Sequence, residues 1–169
     1  MGYTQDTHFS QFISPALFNH SAGTWTVSLA SNVVKAARGT ADASFTTTIP
    51  IPIPSNASAL KGSRLKSIDV WYTIATAADD FATVELEKVT LPANTVTPTG
   101  AAVSAVTLDA DHDTAAKRLA AASHKMTVTL TTPTWIDDDE AYYLTLIVDC
   151  AAGTVFTFWG ARANFDVRQ

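Results

Sequence analysis

The chain has 169 residues, a mass of 18.0 kDa, 47% hydrophobic residues, only 16% charged residues and a net charge of −5. That length suits one domain with a real core. The acidic balance speaks against general binding of a phosphate backbone, which needs clustered Lys and Arg, and no apolar run approaches the length of a membrane span. A surface so poor in charge is either covered by Thr, Ser, Ala and Asn or partly buried in an assembly.

Residues 1–23 are mixed. MGYTQDTHFSQF is polar and lacks the apolar stretch of a secretion signal. FSQFISPALFNHSAG then carries Phe9, Phe12, Ile13, Leu17 and Phe18, too apolar for a free tail. The expectation is an arm over residues 1–23 that packs on its own domain or on a neighbour, followed by one domain over residues 24–169. From Trp25 the chain alternates like strands. TWTVSLA puts Trp25, Val27 and Leu29 on one face, and NVVKAARG is a weaker strand ending at Gly39.

SFTTTIPIPIP follows, with Pro50, Pro52 and Pro54 alternating with Ile49, Ile51 and Ile53. Backbone N–H groups alternate edges along a strand, so the three prolines remove every donor from one edge. Such a segment pairs on one side only and protects an open edge. The isoleucines require burial against the chain's own core or a neighbouring subunit. With Phe9 and Phe12 they form the expected oligomer interface. The loop beyond contains Asn56-Ala57-Ser58, a glycosylation sequon with no secretion signal to bring it into use.

RLKSIDVWYTIATA is the clearest strand, with Ile68, Val70, Tyr72 and Ile74 inward and Trp71 on the opposite face. ATVELEKVTL sets Val84 and Leu86 against Glu85 and Glu87, and AAVSAVTLDAD is a further short strand. DTAAKRLAAASHK allows a short helical turn capped by Asp113, or an extended segment. HKMTVTLTTP alternates with Met126, Val128 and Leu130 inward. AYYLTLIVDC and TVFTFWGARANFDV close the chain and read as a hairpin about Ala151 to Gly153. Gly160 sits where alternation wavers, which predicts a β-bulge. Cys150 continues the inward face of Tyr142, Leu144, Leu146 and Val148, a small buried hydrophobe. The pattern of about eight strands separated by turn signals is that of an all-β antiparallel sandwich, jelly-roll-like, with an N-terminal arm.

Chemistry-bearing clusters are weak. Asp111-His112-Asp113 reads as a solvated turn, since adjacent residues on a strand face opposite ways. The run Asp137-Asp138-Asp139-Glu140 and the pair Asp79-Asp80 lack the spacing of a calcium loop. His8, His20, His112 and His124 show no metal-ligand spacing. There is no GxSxG and no glycine-rich phosphate loop. No catalytic residue, metal site or cofactor is expected. The tryptophans remain: Trp71, Trp135 and Trp159 are the candidates for a ligand-stacking surface, with core or interface packing as the competing role.

GSRLKSIDVWYTIATAADDFATVELEKVTLP and TVTLTTPTWIDDDEAYYLTLIVDCAAGTVFTFWGARANF together resemble a group of small proteins encoded in phage genomes and environmental phage sequences. The shared style runs over residues 62–165: a Tyr-bearing alternating strand, a Thr-rich strand, an acidic turn after Pro-x-Trp-Ile, a YYL strand and a closing strand with Gly and an aromatic. The resemblance implies a jelly-roll virion component, often a homotrimer. It would be made in the host cytoplasm and would contact other virion proteins, with no functional residues to transfer. The expectation is thus a non-enzymatic structural protein, a decoration, fibre or tail-associated module, with no nucleic-acid or membrane partner. The alternative is a carbohydrate-binding module whose surface tryptophans stack on a glycan.

Overall fold

The computed structural model describes residues 6–40, 43–54, 62–94, 97–103 and 106–168. Among these described residues twelve strands, all paired antiparallel, form two sheets. They are β1 (Asp6–Ile13), β2 (Asn19–His20), β3 (Trp25–Ala30), β4 (Val33–Arg38), β5 (Ala43–Ile51), β6 (Ser63–Ile74), β7 (Asp80–Thr90), β8 (Thr99–Ala102), β9 (Val106–Leu108), β10 (Ser123–Leu130), β11 (Glu140–Cys150) and β12 (Phe156–Arg168). A 3-10 turn (Pro15–Leu17) follows β1, and a four-residue helix α1 (Ala115–Arg118) precedes β10.

The first sheet runs β3-β4-β12-β6-β10-β9, with β1 added along β12, and the second runs β2-β5-β11-β7-β8. From β4 onward the chain changes sheet at every link except β7–β8 and β9–β10. The resulting quartets, β4-β12-β6-β10 and β5-β11-β7-β8, are the interleaved order of a jelly-roll sandwich. Alternating apolar residues supply the core between the sheets. Ile68, Val70, Tyr72 and Ile74 from β6 meet Leu144, Leu146 and Val148 from β11, all buried. Cys150 completes that row, and burial pushes its thiol pKa up.

Several expectations change. The arm is a strand: β1 pairs with the full C-terminal half of β12, from Asp6 opposite Arg168 to Ile13 opposite Ala161. Ile49 and Ile51 are 0% and 5% exposed, inside the chain's own core, and Ile53 packs against that core. Their burial therefore needs no neighbouring subunit. The edge reading of the proline segment is supported, because β2 pairs with β5 only at Thr47 and Thr48 and leaves Pro50 beyond it. AAVSAVTLDAD is two strands in different sheets, β8 and β9. The final link is an arch, since β11 and β12 belong to opposite sheets. Thr114, not Asp113, occupies the cap position of α1, and Asp113 instead binds Lys117 at 2.8 Å. Of the face shared by Trp25, Val27 and Leu29, Trp25 packs against the core while Val27 and Leu29 are exposed.

Candidate functional site

The site lies on the outer face of the first sheet and is built by one irregularity. The register of β12 against β6 shifts between Phe158 and Gly160, the bulge expected at that glycine. Phe158 stays in the core while Trp159 turns outward, and Trp71 opposite Gly160 points out from between buried Val70 and Tyr72. Gly160 has φ 136°, and a Cβ there would approach the Phe12 ring to 2.6 Å. The absent side chain is what lets Phe12 of β1 lie across the bulge. Phe12 remains 63% exposed.

Phe12, Trp159 and Trp71 thereby line one open groove of about 470 Å³, floored by Tyr72 and Thr73 and closed by Ser123, His124 and Arg162. The indole of Trp159 donates from Nε1 to Thr73 Oγ1 at 2.9 Å, which fixes its orientation. Three cations flank the indoles. Arg162 Cζ and Lys125 Nζ sit 5.4 and 5.8 Å from the Trp71 ring, and Lys35 Nζ sits 5.8 Å from the Trp159 ring. These are cation–π distances.

Beside the groove, Asp69 is buried and accepts from Arg162 at 2.6 Å, Thr127 Oγ1 at 2.7 Å and Asn164 Nδ2 at 3.3 Å. Burial pushes its pKa up, but those donors and the Lys125 charge pull harder, so its carboxyl lies below the usual range. Cross-strand register produces this cluster, because Arg162 stands opposite Asp69 on one side and Thr127 on the other. Asp166 organises a second cluster along the same face, accepting from Arg64 at 2.8 Å and contacting His8 at 2.6 Å and Lys66 at 3.3 Å.

Beneath the groove runs a polar chain. His124 stacks on Tyr72 at 4.6 Å, its Nε2 donates to Ala120 O at 2.9 Å, and its Nδ1 lies 3.2 Å from His112 Nε2. His112 Nδ1 is 2.7 Å from Asp109 Oδ1, and Asp109 Oδ2 accepts from Thr127 N at 2.6 Å. His112 is buried, so Asp111-His112-Asp113 is not a uniformly solvated turn; its histidine pairs with Asp109, outside that triplet. The guanidinium of Arg118 ties α1 down through Phe81 O, Ala82 O and His112 O at 2.8–3.0 Å. Tyr72 donates to Arg118 O at 2.9 Å, and burial pushes its phenol pKa up.

Of the expected stacking residues, the structure brings Trp71 and Trp159 together and sets Trp135 elsewhere, with Arg64 Cζ 5.1 Å from its ring. Phe12, expected at an oligomer interface, lines the groove. Phe9 is half-exposed on β1. Among the described residues no three metal-ligating side chains converge. In the acidic run, Glu140 accepts from Lys88 Nζ at 2.6 Å. The sequence did not single out Asp69, Arg162 or His124. Arg162 and Asp69 lie 93 residues apart, and only the pairing of β6 with β12 joins them.

No family model and no curated protein matches the sequence. Among solved structures the chain is similar to an arabinose-bound α-L-arabinofuranosidase, at 8% identity and a TM-score of 0.34, over 91% of this chain and 24% of that one. A likeness of that size carries no argument.

Proposed function

We propose that this chain is a non-enzymatic binding module whose outer-face groove takes a saccharide. The observation that carries this reading is the convergence of Trp71 and Trp159 in one open groove. Pyranose C–H faces stack on indoles, and groups such as Thr73 on the floor and Ser123 and Arg162 at the sides supply hydrogen bonds. Charge narrows the ligand. Lys35, Lys125 and Arg162 outnumber Asp69 by three to one around the indoles, on a chain of net charge −5. An acidic sugar such as a uronate complements that field.

Titration calorimetry with an oligouronate and a neutral oligosaccharide tests this reading. The expected result is saccharide binding that favours the oligouronate, falls with salt, and weakens about tenfold or more in Trp71→Ala and in Trp159→Ala. No binding of either sugar, or variants that bind as the parent does, would overturn it.

A second reading is a structural module of a phage particle that assembles with itself, as a homotrimer, and with other virion proteins. One observation favours the self-association in it. The hairpin β3–β4 presents Val27, Leu29 and Val33 largely exposed, on a surface otherwise poor in charge.

A further inference from the structure

The β3–β4 hairpin is an arm with a bare edge. β3 and β4 pair over six positions, from Trp25 opposite Arg38 to Ala30 opposite Val33. β4 pairs with β12 only at Ala36 and Ala37. Beyond the bulge at Gly160, β12 takes β1 as its neighbour instead. The outer part of the hairpin therefore has no strand beside it but its own, among the described residues. Ser31 and Asn32, with φ 50° and 66°, close it as a tight two-residue turn whose twist suits paired strands.

One face of this arm is apolar and open: Val27 is 52% exposed and Leu29 69%. The other ends of the sheets are guarded. β2, β9 and β8 are two, three and four residues long. β1 is longer but carries Asp6, which binds Arg64 at 3.1 Å, and His8, which contacts Asp166. Short strands and charges are the usual protection of an edge. β3 has six residues, and residues 25–34 contain neither a charge nor a proline.

We propose that β3 pairs antiparallel with β3 of a second copy across a two-fold axis, joining the two first sheets. Charge selects this partner. Across a two-fold axis a strand faces its own sequence reversed, so a strand carrying charges of one sign would set like charges beside one another. Two chains of net charge −5 meet with least repulsion through a strip free of charge, and β3 is such a strip. An axis through Ser28 places Val27 against Leu29 of the second copy, and Leu29 against Val27, on the apolar face. It places Thr26 against Ala30 on the other face. The inference is independent of the saccharide reading, since β3 contributes no residue to the groove.

Light scattering on a sizing column reads the result directly. The expected mass is near 36 kDa, twice 18.0 kDa. Leu29→Lys is expected to give 18.0 kDa with an unchanged far-ultraviolet spectrum, because the side chain is exposed and its loss does not open the core. Ser28→Cys adds a surface thiol to a chain whose own Cys150 is buried. Directly opposed antiparallel positions lie within disulfide reach, so mild oxidation is expected to yield a covalent pair. A mass of 18.0 kDa at every concentration, a mass near 54 kDa, or a dimer indifferent to Leu29→Lys would each overturn the pairing.

Discussion

Strands β5 and β3 both present an edge without a regular neighbour, and they manage it in opposite ways. β5 is covered by β2 only at Thr47 and Thr48, and beyond them its edge carries Pro50. Its isoleucines turn inward, where Ile49 and Ile51 are buried against the second sheet's own partners, Leu144 and Tyr142. β3 has the same alternation, with Val27 and Leu29 in register with Ala36 and Val34, yet its apolar face looks out. The difference lies in where each strand sits in its sheet. β5 lies beside the central strand β11, whereas β3 sits at the end of its sheet, outboard of β4. The same pattern of residues thus makes a core in one place and an open surface in the other, and chemical protection of the edge is present only at β5.

The comparison can be broken most decisively at the two apolar faces. Ile51→Asp buries a carboxylate in the core and is expected to cost more than about 4 kcal/mol, a large share of a domain's usual stability, and to lower the melting temperature steeply. A cooperative melt at the parental temperature would contradict the placement of β5. Gly160→Ala comes next. It forces a Cβ into Phe12 at a backbone φ of 136°, and an expected loss of about 1–3 kcal/mol in denaturant unfolding should accompany weaker ligand binding.

The pH dependence sharpens the picture where β2 covers β5. His20 stacks on Trp25 at 3.6 Å and its Nδ1 lies 2.9 Å from Thr47 Oγ1, and burial lowers its pKa from 6.5 to about 4. The unfolded chain takes up that proton first, so stability falls as pH drops from 6.5 towards 4 and the contribution is then lost. Asp69, Asp109 and Asp166 have lowered carboxyl pKa values, so their contribution is present above 3.8 and is lost as pH falls further. His20→Gln should flatten the first part of this acid limb and leave the second. An unchanged limb between those pH values would remove His20 from the account.

Smaller effects belong to the edges. Pro50→Ala restores a donor to the β5 edge and frees the unfolded chain, at an expected cost of about 0.4–1 kcal/mol in thermal unfolding. A gain in stability would show that the ring strains the strand. Leu29→Asp, at an exposed position, should change the stability of the single chain by no more than about 0.5 kcal/mol. A larger loss would mean that the arm's face is covered from within the chain.

Much of this architecture was legible from alternation alone. Met126, Val128 and Leu130, the row from Tyr142 to Cys150, and the outward turn of Trp71 all follow from side chains changing face at every residue. The bulge at Gly160 was legible because the inward face passes from the even positions of Phe156 and Phe158 to the odd position of Phe165 across that glycine. The reach of the final link was not. A turn at Ala151 to Gly153 serves equally for a strand that folds back beside its predecessor and for one that crosses to the opposite sheet. The single run AAVSAVTLDAD divides into β8 and β9 for the same reason.

By itself, then, the sequence determined the class of fold, the inward rows and the outward tryptophans. These are local consequences of period-two alternation and of what glycine and proline do to a backbone. Only the tertiary structure decided that Trp71 and Trp159 share a groove, that Phe12 lies over Gly160, and that Asp69 meets Arg162 from 93 residues away. Only it decided that Ile51 is core while Leu29 is surface. Alternation specifies which residues share a face, but what that face meets depends on strand order. Strand order is settled by pairings between segments far apart in the chain, and no local pattern encodes them.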